Sequence, residues 1–265
     1  MYWAHYQPIT ARFRFADNAF LPPLDGLQGA IQTTADPPMP SASEFAFDLV
    51  MFDLDGTLLD TAGELADAVN DTLAALGQRP VTEAQVREWI GNGTRELLVC
   101  ALADASGQPR EALRESGDLA RATAIFDPHY EKRCGTRSQP YAHAAQVLRQ
   151  LRERGLQLAV VTNKDSRFTR PLLAHHRLAP LLDQVVCGDD VARKKPAPDS
   201  ILRCLSSCQV APARALFVGD SAIDVASARN AGVVVWAVPG GYNQGQPIAL
   251  SQPDRLLQDL GQLLE

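Results

Sequence analysis

No stretch of the 265-residue chain approaches the ~18 to 20 uninterrupted apolar residues that a membrane span requires. Basic charge is not in excess either: 25 Lys and Arg stand against 31 Asp and Glu, for a net charge of −6. A protein that coats nucleic acid carries a basic footprint, so that class is excluded. Cysteine is scarce and odd in number, five in all (Cys100, Cys134, Cys187, Cys204, Cys208). A secreted disulfide framework is usually even and denser. Cys204 and Cys208 have helical i,i+4 spacing, but no second ligand cluster accompanies them, and they read as reduced thiols. His175-His176 is likewise a lone pair at a helix surface or end. The opening Met1 to Pro8 lacks the basic start and apolar run of a secretory signal. The expectation is a soluble, cytoplasmic protein, monomer or homodimer, that binds neither nucleic acid nor membrane.

What is present is an ordinary globular balance, 46% hydrophobic and 21% charged residues, which rules out wholesale disorder. Residues 1–44 stand apart. They hold Pro8, Pro22, Pro23, Pro37, Pro38 and Pro40 and no sustained periodicity. Proline removes amide donors and breaks helix and strand alike, so this segment reads as a loosely ordered extension.

From Phe45 onward, short apolar runs alternate with amphipathic segments. Phe47–Phe52, Leu156–Val161, Gln184–Cys187, Ala215–Val218 and Val233–Val238 read as buried strands. Near-continuous apolar strands separated by helices are what a parallel sheet covered on both faces produces. Gly155 and Gly232 precede the second and fifth runs, where a helix C-cap glycine belongs. The predicted fold is a doubly wound α/β sheet. Roughly a hundred residues separate the first two strands, against ~30 for a simple βαβ unit. That insert has helical periodicity at Leu65, Val69, Leu73 and Leu76, then over 83–90 and 96–102. Following the first strand, it would lie over the carboxyl ends of the strands, where open α/β sheets bind ligands. The expected division is a core of 45–61 and 141–265 with a helical cap of 62–140.

Four clusters each follow a different predicted strand. Asp53-Leu54-Asp55-Gly56-Thr57 puts two carboxylates at i and i+2, an arrangement that repels itself without a cation or a proton. An Asx-Gly turn capping a strand uses the same residue types. Thr162-Asn163-Lys164 places a hydroxyl where a helix begins, a setting that favours an anion. Lys194-Lys195-Pro196 brings a cation on a stiff loop, and Gly219-Asp220-Ser221-Ala222-Ile223-Asp224 adds two more carboxylates. Singly these are caps and solvated charges. Together they describe a pocket of acids, one hydroxyl and one lysine around a divalent ion. Hard oxygen ligands select magnesium, which also takes substrate phosphate oxygens, and such a pocket suits phosphoryl transfer.

In this order and spacing the four motifs resemble those of the haloacid dehalogenase superfamily of phosphohydrolases, over about residues 45 to 262. Trp89-Ile90-Gly91-Asn92-Gly93 and Gly240-Gly241-Tyr242-Asn243, with Leu250 to Asp254, are similar to segments of its bacterial phosphoglycolate phosphatase group. The resemblance implies Mg2+-dependent hydrolysis of a small phosphorylated metabolite through an aspartyl-phosphate. Asp53 would be the nucleophile and Asp55 the general acid and base. Asp53, Asp55 (through its carbonyl) and Asp220 would ligate the metal, with Asp224 in support. Thr162, Asn163 and Lys195 would hold the phosphoryl group, and Lys195 is chosen over Lys194 because it directly precedes Pro196. Gly56 and Thr57 would shape the loop. Asn92, Gly93 and Arg95 of the cap would reach a substrate carboxylate, although an exposed helix charge explains Arg95 equally well.

The substrate this implies is 2-phosphoglycolate. A capped phosphatase of a sugar phosphate, such as N-acetylmuramic acid 6-phosphate, and a sugar phosphomutase share the core motifs. A non-catalytic binding module is disfavoured, because no acid, hydroxyl or lysine of the set is missing.

Overall fold

The computed structural model describes residues 46–265. The reading of 1–44 as an extension lies outside the described residues. The chain opens with β1 (Leu49–Phe52) and β2 (Leu59–Asp60), then the helices α1 (Ala62–Ala75), α2 (Glu83–Trp89), α3 (Thr94–Ser106), α4 (Arg110–Arg114) and α5 (Gly117–Arg133). It continues through β3 (Gln139–Pro140), α6 (Ala144–Glu153), β4 (Gln157–Val161), α7 (Ser166–His175), β5 (Gln184–Val186) and α8 (Asp199–Cys208). It ends with β6 (Ala215–Gly219), α9 (Ala222–Asn230), β7 (Val234–Ala237) and β8 (Arg255–Leu256).

Six strands form one parallel sheet in the order β5-β4-β1-β6-β7-β8. The five apolar runs of the sequence supply five of them. The sixth, β8, is two exposed residues and has no apolar run to mark it. Side chains of successive strand residues point to opposite faces. Leu49, Met51, Ala159 and Phe217 accordingly pack with Ile201 and Cys204 of α8 and Val225 and Ala228 of α9. Val50, Phe52, Leu158 and Leu216 pack with Val147, Leu148 and Leu151 of α6 and Leu172 and Leu173 of α7. Burial on both faces is why the strands read as continuous apolar runs. The sequence of connections reverses direction at β1, whose neighbours are β4 and β6. Such a reversal opens a crevice above the carboxyl ends of the strands.

Between β2 and β3 lies an all-helical insert with its own core, built on Leu65, Val69 and Leu73 of α1, Val86, Leu97, Leu98, Phe126 and Tyr130. Helix α5, which no periodicity noted above marks, carries Pro128, and an interior proline costs a helix roughly 3 kcal/mol. Burial offsets that cost. Phe126 and Tyr130, one turn apart, are fully buried with ring centroids 5.4 Å apart, and each large ring removes about 150 to 250 Å² from water. Phe168, contributed by α7, reaches into the same cluster 4.6 Å from Tyr130.

The two chain segments joining the insert to the sheet run side by side. Leu59 is opposite Pro140 and Asp60 opposite Gln139 in an antiparallel pair, and Tyr141 N–H donates to the Leu58 carbonyl at 3.0 Å. The fully buried Glu64 secures the returning segment. Its Oε2 accepts from the backbone N–H groups of Gly135 at 2.8 Å, Ser138 at 3.0 Å and Arg137 at 3.4 Å. No helix among the described residues is long and apolar enough to cross a membrane.

Candidate active site

Asp53 is the first residue past β1, held in line by its N–H donating to the Val218 carbonyl at 2.9 Å. The chain then turns at Gly56, whose φ of +95° belongs to the region that glycine alone enters freely. A Cβ at Gly56 would lie 2.3 Å from Asp220 Oδ2, and one at Gly241 2.2 Å from the same oxygen. Two glycines thus leave the space that the Asp220 carboxylate fills.

Asp53, Asp220 and Asp224 each present an oxygen within 4.8 Å of the others, all buried. Lys195 sits among them with Nζ 2.8 Å from Asp53 Oδ1 and 2.7 Å from Asp224 Oδ1, and it donates to the Val161 carbonyl at 3.1 Å. Burial pushes Asp53 up to about 7, reinforced by the Asp224 and Asp55 charges and opposed by Lys195. Asp220 is raised as well, by burial first and then by the charges of Asp224 and Asp53. For Lys195 burial works against the charge, but the Asp224 and Asp53 carboxylates outweigh it and hold the ammonium above its ordinary value.

The carboxylates differ in how fully they are engaged. Asp224 Oδ2 accepts from Ser221 Oγ at 2.7 Å and from the N–H groups of Ser221 and Asp220 at 3.1 and 3.2 Å, closing the N-terminus of α9. Asp220 accepts one donor per oxygen, the Thr57 hydroxyl on Oδ1 and the Tyr242 N–H on Oδ2, both at 2.6 Å. The Asp55 side chain is turned elsewhere. Its Oδ1 accepts from Thr61 Oγ1 at 2.7 Å, and Lys164 Nζ is 2.9 Å from both of its oxygens.

The other sequence-predicted residues divide. Thr162 is buried at the end of β4, where its hydroxyl oxygen accepts the Lys164 N–H at 3.2 Å. The Asn163 side chain is committed to the protein. Its Nδ2 donates to the carbonyls of Gly91 at 2.9 Å and Lys195 at 3.0 Å, and its Oδ1 accepts from Lys195 N–H at 2.8 Å. It therefore ties the insert and the lysine loop to the sheet, and its amide is not left for a phosphoryl oxygen. Lys194 turns outward to Asp165 Oδ1 at 3.0 Å.

A cavity of about 30 Å³ lies between sheet and insert. Asp53, Asp55, Thr162, Asn163 and Lys164 form its floor, and Leu65, Ile90, Gly91, Gly93, Thr94 and Leu97 its roof. Asn92 and Arg95 are not among its walls. Asn92 is exposed. The Arg95 guanidinium donates to the Arg114 carbonyl and lines a separate cavity of about 580 Å³. The reason is helical phase: each residue turns the side chain by about 100°. With α3 starting at Thr94, Thr94 and Leu97 face the roof while Arg95 is carried round to α4. Lys164 is the floor residue that the sequence reading gave no role. Its signal was its place directly after the Thr-Asn pair at a strand end.

The donor set fits a divalent cation. Three buried carboxylates meet a single ammonium, and the excess negative charge adds to burial in raising Asp53 and Asp220. Hard carboxylate oxygens of this kind suit magnesium.

A doubly wound sheet with acidic side chains, threonine and lysine gathered at its switch point, roofed by an inserted helical layer, agrees with family comparison. Residues 50–238 match the haloacid dehalogenase-like hydrolase family, and the chain belongs to it. More particularly, it is 39% identical over 217 residues to the phosphoglycolate phosphatase of Vibrio cholerae, covering 82% of this chain and 95% of the relative. It is 39% identical over 228 residues to that of Shigella boydii, covering 81% and 90%. The crystal structure of a predicted phosphoglycolate phosphatase from Haemophilus somnus superposes with a TM-score of 0.78 at 31% identity, covering 84% of this chain and 98% of that one. The chain is an enzyme, a phosphatase of this hydrolase family.

Proposed function

We propose that the chain hydrolyses a small phosphomonoester through an aspartyl-phosphate, that it requires Mg2+, and that its substrate is 2-phosphoglycolate. The observation that carries this reading is Asp53 in contact with Lys195 on the floor of a cavity that Asp55 also lines. Asp53 attacks phosphorus, and the P–O bond to the leaving glycolate breaks. Asp55 gives the departing oxygen its proton. Asp55 then takes a proton from water, whose oxygen attacks the same phosphorus, and phosphate leaves with Asp53 restored.

An anion must approach a dianion here, so positive charge has to gather where they meet. Lys195 supplies part of it and Thr162 a hydroxyl donor. Mg2+, held by Asp53, the Asp55 carbonyl and Asp220 with Asp224 in support, would neutralise charge on the transferring group. The insert, residues 62–140, acts as a cap over the core formed by 45–61 and 141–265. The substrate carboxylate meets the start of α3, where Gly93 has no side chain to cap the first amides and an anion is favoured. The apolar Leu65, Ile90 and Leu97 enclose the remaining carbon.

The test is phosphate release from 2-phosphoglycolate and from a panel of sugar phosphates, with Mg2+ and after chelation. The expected result is a kcat/KM highest for 2-phosphoglycolate and lost on chelation. A sugar phosphate turned over faster, or phosphoryl transfer to a sugar without phosphate release, would overturn the substrate assignment.

A further inference from the structure

Helix α1 begins without a side-chain cap. Its N-cap residue is Thr61, yet the Thr61 side chain accepts nothing from the helix. The first amides of a helix have no partner within it, and leaving them unmet in a buried setting is costly. Here the partner comes from 180 residues away. The Tyr242 phenol oxygen accepts from Thr61 N–H at 2.9 Å and from Ala62 N–H at 3.0 Å, and its own hydrogen goes to Asp60 Oδ1 at 2.6 Å. Tyr242 is itself 2% exposed, and Arg87 lies over its ring at 5.7 Å while ion-paired to Asp60 at 2.8 Å.

We propose that Tyr242 is a positioning residue for Asp55: by holding the Thr61 and Ala62 amides, it fixes the backbone from which the Thr61 hydroxyl reaches the Asp55 carboxylate. Threonine at an N-cap ordinarily turns its oxygen back onto the N2 or N3 amide. Thr61 instead donates to Asp55 Oδ1 at 2.7 Å, a direction set by where its backbone is held. Removing the phenol oxygen takes that acceptor from the Thr61 N–H and leaves the Ala62 N–H with Asp60 Oδ1 at 3.2 Å. The Thr61 backbone is then no longer fixed, its hydroxyl loses its aim at Asp55 Oδ1, and Asp55 keeps only Lys164. The inference rests on the proposed role of Asp55 as the group that protonates the leaving oxygen.

Two small substrates separate this from a general loss of structure. Glycolate is a poor leaving group that needs a proton, whereas the acetate of acetyl phosphate leaves without one. Tyr242→Phe is expected to lower kcat/KM, which reports the steps up to loss of the leaving group and not the hydrolysis both substrates share, by about 10- to 100-fold for 2-phosphoglycolate and by less than about 3-fold for acetyl phosphate. Thr61→Val, which keeps the backbone amide and its tyrosine cap, should reproduce that selective loss, and Thr61→Ser should retain the wild-type ratio. Independently of turnover, hydrogen exchange of a peptide spanning residues 61–63 should accelerate in Tyr242→Phe. Equal losses on both substrates in Thr61→Val, or unchanged exchange in Tyr242→Phe, would overturn the proposal. Wild-type turnover of the ester and of the acyl phosphate tests the reading of the site itself. The ratio between variants tests only this one.

Discussion

Lys164 Nζ stands 2.9 Å from both oxygens of Asp55 and 5.0 Å from the centre of the Tyr130 ring, its side chain only 4% exposed. A cation placed between a carboxylate and an aromatic face that comes from the insert responds to both halves of the site.

Replacing Lys164 with Met preserves the length of the side chain and removes its charge. The expected outcome is a kcat for 2-phosphoglycolate lower by roughly 10- to 100-fold, with Asp55 held by Thr61 alone. Steady-state kinetics check it, and an unchanged kcat would exclude Lys164 from the reaction.

Asp53→Asn removes the proposed nucleophile together with one of three mutually repelling buried carboxylates. Turnover should fall by at least roughly 10⁴-fold. The metal-free protein should melt no lower than wild type, because Lys195 retains Asp224 at 2.7 Å. Thermal denaturation in chelator, paired with phosphate release, reads both effects.

Magnesium should stabilise the protein more as pH rises. Burial raises Asp53 to about 7, above its unfolded value near 4. The folded state therefore binds more protons between those limits, and metal-free stability falls as pH climbs from about 4 to 7. A cation favours the ionised carboxylates, so the upward shift of melting temperature on adding Mg2+ is expected to be larger at pH 8 than at pH 5. An equal shift at both would contradict the charge assignment.

Glu64→Gln turns part of a pure acceptor into a donor facing three backbone N–H groups. The loss should be about 2 to 3 kcal/mol of stability, since bonds to a charged group contribute the most. As a comparison, Asp67→Asn touches only half-exposed partners and should cost less than about 1 kcal/mol. Denaturant melts of the two variants measure the contrast.

The sheet is readable because β1, β4 and β6 are buried on both faces, and β7 on one with the other half-buried, and all leave apolar runs in the chain. Strands β2, β3 and β8, two residues each, are too short to show any period. The acids, Thr162 and the inward Lys195 could be named because each stands at the end of such a run. Cap residues could not be placed the same way. The sequence reading began the third helix near Glu96, the structure begins it at Thr94, and that offset is enough to carry Arg95 away from the cavity. The engagement of Asn163, and the roles of Lys164 and Tyr242, depend on contacts across 32 to 181 positions of chain. No local pattern encodes such distances.

The paired segments β2 and β3 make the insert topologically separable, because departure and return occur at adjacent points. It is not chemically separable. A foreign helical block spliced between Asp60 and Gln139 would leave the routing of the sheet unchanged, yet it would have to resupply the Thr61 hydroxyl on Asp55, the Gly91 carbonyl on Asn163 and the Tyr130 ring beside Lys164.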